Sequence, residues 1–215
     1  VETEKLSRVD LYGIGTNLTC FSFIQADEEK MERLAEMRKK VENAAGHTLE
    51  IVSGGNSAAL DLMMRGGICE GVDNFRLGES LLFGKERSRY TFLPGTRNDG
   101  FILECEVVEA KVKPSLPWGT EGVDSYGRKP VFTDRGEKRK KVICAIGRQD
   151  FDAETATPVD EGILILGASS DHLMLDVTDS VKEYKVGDIV ELRLGYFSVL
   201  RAFTSPYVEK IFLKK

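Results

Sequence analysis

Residues 49–67 read Leu-Glu-Ile-Val-Ser-Gly-Gly-Asn-Ser-Ala-Ala-Leu-Asp-Leu-Met-Met-Arg-Gly-Gly. The run from Leu49 to Ser53 is apolar and β-branched, which predicts a strand, and Gly54-Gly55 predicts a turn after it. Ser57 to Arg65 then predicts a helix, which the glycine pair Gly66-Gly67 ends. The stretch is therefore a strand–turn–helix unit of the kind that builds parallel α/β sheets.

The same order recurs on both sides of this stretch. Residues 9–14 predict a strand, and a helix follows from Asp27, a good N-cap, to Gly46. Asn74 to Leu77 predict a third strand, followed by an apolar segment, helical or extended, over residues 79–83. Three strand–helix units in about 85 residues indicate a parallel sheet or part of a barrel.

The pattern changes around residues 91–100, where proline and glycine mark a boundary. Beyond it the chain offers almost no helix and a series of short β-rich runs, which is typical of an antiparallel sandwich or barrel. These runs are Phe101–Val112, Lys141–Ile146, Gly162–Leu166, His172–Val177, Ile189–Leu194 and Val208–Leu213. The predicted fold class is thus α/β plus all-β, with an α/β domain over residues 1–93 and a β domain over residues 94–215.

Composition excludes several classes of protein. Of the 215 residues 41% are hydrophobic and 30% charged, the balance of an ordinary globular chain. No apolar run approaches the roughly 20 residues that span a bilayer, and a net charge of -5 offers no field to attract nucleic acid. The four cysteines are widely spaced without a C-x-x-C pair, so we expect reduced thiols, no metal site and a cytoplasmic protein.

Two turns that follow predicted strands carry the candidate binding residues. Asn56 and Ser57 open a helix, where a hydroxyl and free N–H groups can meet a phosphate. Gly78 could bring backbone N–H groups to the same phosphate, with Arg76 beside it. Each turn alone is more readily explained as structural, an N-cap in the first case and a surface arginine in the second.

Five motifs that follow each other in a fixed order along the chain support the binding interpretation of these turns. They are Gly13-Ile14-Gly15-Thr16-Asn17-Leu18-Thr19-Cys20, Gly54-Gly55-Asn56-Ser57, Arg76-Leu77-Gly78-Glu79-Ser80, Ala145-Ile146-Gly147-Arg148-Gln149-Asp150 and Leu166-Gly167-Ala168-Ser169-Ser170-Asp171-His172. Together they resemble the alanine-racemase-like family of pyridoxal-phosphate (PLP) enzymes, in particular its branch of ornithine racemase and predicted amino-acid racemases. The resemblance implies part of a PLP-binding (β/α)8 TIM barrel followed by a β-barrel or sandwich domain, in a homodimer.

The resemblance also implies roles for residues of the first domain. Ser57 and the backbone at Gly78 and Glu79 would hold the phosphate of PLP, with Asn56 beside it. Asn17 falls where alanine racemases place a histidine over the cofactor ring.

Arg76 matches the arginine that faces the pyridine nitrogen in this family. A guanidinium keeps its own proton, so the ring stays a weaker electron sink than it would be beside a carboxylate. The resemblance therefore implies racemisation rather than transamination or decarboxylation.

Racemisation needs an acid and a base on opposite faces of the substrate α-carbon. In this family one of them is the lysine that binds PLP, on an early barrel strand. No lysine of this chain occupies a matching position, so the chain is interpreted as the C-terminal part of such an enzyme, inactive by itself.

The second acid–base group is left open by the sequence. Alanine racemases use a tyrosine where this chain has Arg148, and an arginine suits a substrate carboxylate better than proton abstraction. The remaining candidates are Asp150, Asp171 and His172, of which histidine is the side-chain type that changes charge near neutral pH.

The predicted activity is therefore interconversion of the L- and D-forms of an amino acid by removal of its α-proton. A basic substrate such as ornithine would need a carboxylate, for which Glu79, Asp150 and Asp171 are candidates. Two non-catalytic alternatives stay open: a PLP-binding or regulatory module, and an oligomerisation or ligand-binding domain without cofactor.

Overall fold

The computed structural model describes residues 2–123, 127–129 and 131–214. Contacts divide the chain into two compact units, an N-terminal unit of residues 1–100 and a C-terminal unit of residues 101–215. Sequence analysis had located the break seven residues earlier, between residues 93 and 94, inside the segment rich in glycine and proline. No helix in the described part of the chain is long and apolar enough to cross a membrane.

The N-terminal unit is built on a parallel three-stranded sheet. Its strands are β1 (Gly13–Gly15), β2 (Ile51–Asn56) and β3 (Asn74–Arg76), in the order β1-β2-β3. The central strand β2 is buried over four consecutive residues, because it has neighbours on both sides. The strand predicted over residues 9–14 is shorter than expected and begins at Gly13.

The long helix of this unit begins and ends where its capping residues indicate. Helix α1 (Glu28–Ala45) starts at Asp27, whose side chain accepts a hydrogen bond from Lys30 N at 2.9 Å, and ends at Gly46 in the left-handed conformation. The helix predicted from Ser57 divides into a 3-10 turn (Ser57–Ala59) and helix α2 (Leu60–Met64).

The segment after β3, for which sequence analysis left helix or extended structure open, is helix α3 (Glu79–Phe83). One hydrophobic core holds helices α1 and α2 to the sheet, with Met31, Val52, Leu62 and Val72 at its centre.

The C-terminal unit is an antiparallel six-stranded sheet. Its strands are β4 (Ile102–Lys113), β5 (Arg139–Cys144), β6 (Ala156–Pro158), β7 (Leu164–Ala168), β8 (Leu173–Asp176) and β9 (Ile189–Leu194). The order is β6-β9-β4-β5-β8-β7, and the two outer strands β6 and β7 contact each other, so the sheet is a nearly closed barrel. The all-β prediction for this half of the chain is confirmed.

The C-terminal unit differs from the sequence predictions in several details, one of which is strand β6, which was not predicted. Helix α4 (Tyr196–Thr204) was missed, although Ser198, Val199 and Ala202 recur on one buried face. The strand predicted over Val208–Leu213 is absent from the described structure, where Ile211 and its neighbours are exposed. A β-branched run forms a strand only where a neighbouring strand is free to pair with it.

Candidate functional site

Three of the predicted binding residues meet at one edge of the N-terminal sheet. Asn17 follows β1 by two residues, Asn56 is the last residue of β2, and Arg76 is the last residue of β3. Because the three strands are parallel, their carboxyl ends lie at the same edge, which is where α/β proteins bind ligands.

The Arg76 guanidinium is held by two oxygen atoms at this edge. Its Nη2 donates to the Thr16 carbonyl oxygen at 2.8 Å, and its Nη1 donates to the Ser53 hydroxyl. Ser53 is buried, whereas Arg76 remains exposed. The guanidinium therefore has a fixed position while part of it stays open to solvent.

Asn56 connects two segments of the edge. Its side-chain nitrogen donates to Asn17 Oδ1 at 2.7 Å and to the Leu18 carbonyl oxygen at 3.2 Å, and it lies 3.2 Å from Cys20 Sγ. Its Oδ1 accepts from Ala58 N at 2.8 Å, which caps the 3-10 turn. The structural and the binding interpretations of Asn56 are thus compatible, since one side chain caps the turn and fixes Asn17.

The Ser57 hydroxyl lies at the start of helix α3. It accepts hydrogen bonds from Gly78 N at 3.2 Å and Ser80 N at 3.3 Å, and Ser57 is buried. A Cβ built on Gly78 would meet no atom within 4 Å, so open space lies beside this backbone. A hydroxyl, amide N–H groups and room for a ligand therefore occur together.

The Glu79 carboxylate is paired with Arg87 and is not available to bind a ligand. Its Oε2 lies 3.3 Å from Arg87 Nε, and only 12% of its side chain is exposed. Burial raises the pKa of the neighbouring Tyr90 phenol, and the Glu79 carboxylate raises it further. Glu79 thus offers its backbone at the helix start, while its carboxylate is occupied.

In the C-terminal unit two turns bring the other predicted residues together. Arg148 N donates to the Ser169 carbonyl oxygen at 2.8 Å, and Gln149 N donates to the Ser170 carbonyl oxygen at 3.0 Å. The two turns are so close that a Cβ on Gly147 would lie 2.2 Å from Asp171 N. Only glycine fits at this position.

Arg148 and Asp150 are held by structural hydrogen bonds. Arg148 Nε donates to the Ala168 carbonyl oxygen at 2.8 Å, and its Nη1 lies 3.9 Å from Glu154 Oε1. Asp150 is buried and accepts a hydrogen bond from the Ser205 hydroxyl at 2.6 Å, just after helix α4. This Asp150 carboxylate fixes the end of α4 to the turn.

Asp171 and His172 are exposed and lie next to each other. The distance from Asp171 Oδ2 to His172 Nδ1 is 4.0 Å, and about half of each side chain is accessible. Of the three acid–base candidates Asp150, Asp171 and His172, the last two present a functional group to solvent, whereas Asp150 is buried.

Sequence reasoning missed Thr16 and Ser53, the two partners of Arg76. Thr16 contributes only a backbone oxygen, which no side-chain pattern reveals. Ser53 could have been predicted from the sequence, because it is a hydroxyl residue at the end of an otherwise apolar strand core, where a buried polar group needs a partner.

Comparison with known proteins adds the family context. No family model matches the chain. It is 46% identical over 209 residues to an ornithine racemase of Acetoanaerobium sticklandii, a match that covers 97% of this chain and 59% of the relative. A lysine racemase of Thermotoga maritima is 44% identical over 203 residues, 94% of this chain and 57% of the relative. The chain thus spans less than two thirds of the length of these relatives.

Solved structures show the same fold at lower identity. An alanine racemase of Clostridium difficile 630 in complex with cycloserine superposes with a TM-score of 0.53 and 22% identity, covering 94% of this chain and 54% of that one. An alanine racemase of Bartonella henselae with covalently bound pyridoxal phosphate gives a TM-score of 0.52 and 19% identity, over 85% and 48% of the two chains. The chain is therefore a relative of ornithine and lysine racemases over nearly all of its length and shares the fold of alanine racemases, as its motifs indicated.

Proposed function

We propose that the protein to which this chain belongs is a PLP-dependent racemase of a basic amino acid such as ornithine. The observation that carries the proposal is the meeting of the Ser57 hydroxyl, the Gly78 backbone and the Arg76 guanidinium at one sheet edge. The similarity to an ornithine and a lysine racemase supports the same activity and the basic substrate.

The donor set at this edge fits the phosphate of PLP. Ser57 Oγ accepts from two backbone N–H groups and lies 3.2 Å from Ser80 Oγ, so its own hydrogen can be donated to Ser80 or turn toward a bound anion, and open space lies beside Gly78. In the proposal Ser57 and the backbone of Gly78 and Glu79 bind the phosphate. Asn56 keeps Asn17 at the same edge, where it would lie against the cofactor ring.

Arg76 fits the pyridine nitrogen of the same cofactor. Its guanidinium stays protonated at physiological pH and is fixed by two neutral oxygen atoms, so it donates a hydrogen bond without giving up a proton. When bound, PLP supplies the electron-withdrawing group that makes the α-proton of an amino acid acidic. Arg76 would limit that withdrawal, which favours racemisation over competing reactions.

The C-terminal unit supplies the proposed acid–base group. Arg148 is bonded to the Ala168 carbonyl and cannot accept a proton, and the buried Asp150 is engaged by Ser205. His172 is left with an exposed ring, and we assign proton transfer to its imidazole, with Nδ1 facing Asp171. Arg148 would instead attract the substrate carboxylate.

Asp171 is the best candidate for the second ammonium group of a basic substrate. Glu79 is paired with Arg87, and Asp150 is buried. Asp171 is exposed and has no lysine or arginine partner among the residues that the structure describes. The proposal further includes a cytoplasmic homodimer, for which the family resemblance is the support.

A second candidate function is PLP binding without catalysis. It is favoured by one observation, the arginine at the position where alanine racemases have a catalytic tyrosine. This candidate function predicts cofactor binding without racemisation, so one experiment distinguishes it from the racemase.

The test is titration of the full-length protein with PLP, followed by borohydride reduction, peptide mapping and a chiral assay with ornithine and lysine. We expect a reduced pyridoxyl adduct and racemisation in the wild type. The combined Asn56→Ala, Ser57→Ala and Arg76→Ala variant should lose cofactor retention, whereas a control combining Ser7→Ala, Arg33→Ala and Asn98→Ala at exposed positions should keep it.

Each failure has a distinct meaning. Unchanged retention in the first variant would reject the assigned site, and a wild type that binds no PLP would reject the enzyme. Binding without racemisation would favour the non-catalytic candidate.

A further inference from the structure

The Arg76 guanidinium lies in a slot made by Gly15 of β1, Thr16 directly after it and Ser53 of β2. Ser53 Oγ accepts from Nη1, and the Thr16 carbonyl oxygen accepts from Nη2. A Cβ on Gly15 would lie 3.0 Å from Ser53 Cβ and 3.5 Å from Arg76 Nη1. Glycine at position 15 therefore leaves the space that the hydroxyl and the guanidinium share.

Ser53 is itself rigidly placed. It belongs to the central strand, where it is in register with Gly15 on one side and Asn74 on the other. Its carbonyl oxygen accepts from Thr16 N at 2.9 Å, and the residue is 6% exposed. A buried hydroxyl on a doubly paired strand has little freedom, so its oxygen fixes the direction of the bond to Arg76.

Both partners of Arg76 are neutral. Within residues 2–123, 127–129 and 131–214, no carboxylate lies within 4.0 Å of a nitrogen of its side chain. The guanidinium therefore keeps its full charge while its orientation is set. A carboxylate in the place of Ser53 would orient it equally well but would offset that charge.

We propose that Ser53 is a positioning residue, whose hydroxyl fixes the plane of the Arg76 guanidinium at the sheet edge without neutralising its charge. Its relevance to the cofactor rests on the proposed function. Gly15 assists by leaving the slot open. Ser53 itself touches no reacting atom and acts only through Arg76.

The first test needs no cofactor. Phenylglyoxal modifies accessible guanidinium groups, and peptide mapping measures its rate at Arg76 in the full-length apoprotein. Ser53→Ala should react about tenfold faster than the wild type, as the loss of one hydrogen bond to a charged group implies. Ser53→Thr keeps a hydroxyl and should return the rate toward that of the wild type.

Two further variants keep this test decisive. Gly15→Ala should also speed the modification, because its methyl group displaces the Ser53 side chain, and it applies even if Ser53→Ala folds poorly. Ser7→Ala, at an exposed position, should leave the rate unchanged. Equal rates at Arg76 in the wild type, Ser53→Ala and Gly15→Ala would overturn the proposal.

The second test uses the PLP-loaded protein. The pH dependence of the cofactor absorption band should shift in Ser53→Ala and in Ser53→Asp relative to the wild type, and Ser53→Thr should restore it. An unshifted band in both variants would overturn the proposal that Ser53 leaves the charge of Arg76 unneutralised. A wild type that binds no PLP would reject the proposed function alone, because the modification rates still decide whether Ser53 positions Arg76.

Discussion

The N-terminal and C-terminal units hold their polar residues in different ways. At the carboxyl edge of the parallel sheet, Asn56 and Arg76 bond to nearby backbone and side-chain oxygens, and Arg76 remains exposed. In the C-terminal unit Arg148 and Asp150 are used to pack two turns and a helix. A polar residue in a motif can therefore stay accessible in one unit and be enclosed by packing in the other.

The difference follows from sheet geometry. Parallel strands end together and leave their last residues at an open edge, where backbone groups lack strand partners. The antiparallel sheet of the C-terminal unit is nearly closed, and the turns that join its strands pack against each other. Side chains in such turns bond to backbone groups first, as Arg148 does, whereas Asp171 and His172 remain about half exposed.

The largest expected effect concerns the buried ion pair of the C-terminal unit. Arg139 Nε donates to Asp176 Oδ2 at 2.8 Å, and the Asp176 side chain is 2% exposed. Asp176→Ala should lower the free energy of unfolding by about 3 kcal/mol or more, because it leaves a poorly solvated guanidinium without this partner. Urea unfolding measures this. The exposed Lys140–Glu183 pair is the control, and Lys140→Met should cost less than about 1 kcal/mol.

The Arg139–Asp176 pair should also make the free energy of unfolding depend on pH. Burial by itself raises the pKa of Asp176, but hydrogen bonds from Arg139 and Thr178 outweigh it and hold the pKa below its ordinary value of 3.8. Because the folded pKa lies below the unfolded one, the stabilisation is present above about pH 4 and is lost as the pH falls through the folded pKa. The difference between wild type and Asp176→Ala should therefore shrink in acid. A constant difference from pH 7 to pH 3 would contradict this assignment.

The next prediction tests whether each unit has its own core. Leu175 lies in the barrel and Leu62 in the core of the N-terminal unit, and both are almost fully buried. Either change to alanine should cost about 2–5 kcal/mol of unfolding free energy. Hydrogen exchange should show the lost protection in the unit that carries the change. Equal loss in both units would mean that they unfold as one cooperative body.

The smallest effects should separate the two aspartates of the candidate acid–base group. Asp150→Ala should cost about 1–3 kcal/mol, since it removes the acceptor of the buried Ser205 hydroxyl. Asp171→Ala should change stability by less than about 0.5 kcal/mol, because the side chain is exposed. Thermal unfolding measures both. If Asp171→Ala lowers the stability as much as Asp150→Ala does, Asp171 has a structural role like that of Asp150.

Much of the local structure could be predicted from residue patterns. Asp27 and Gly46 mark both ends of helix α1, and the strand Ile189–Leu194 was predicted at its observed bounds. The failures have a physical cause. Helix α4 is a helix because its apolar face packs on the barrel, and residues 208–213 have strand-forming side chains but no strand to pair with.

By itself the sequence determined the two kinds of unit, both ends of helix α1 and the similarity to racemases, because these depend on local periodicity, capping and motifs. Only the tertiary structure decided which polar residues stay available. Asp150 and Asp171 look alike in the sequence, yet one is buried under Ser205 and the other is exposed. Likewise the bond between Ser53 and Arg76 joins residues 23 positions apart, and it exists because β2 and β3 are adjacent and parallel.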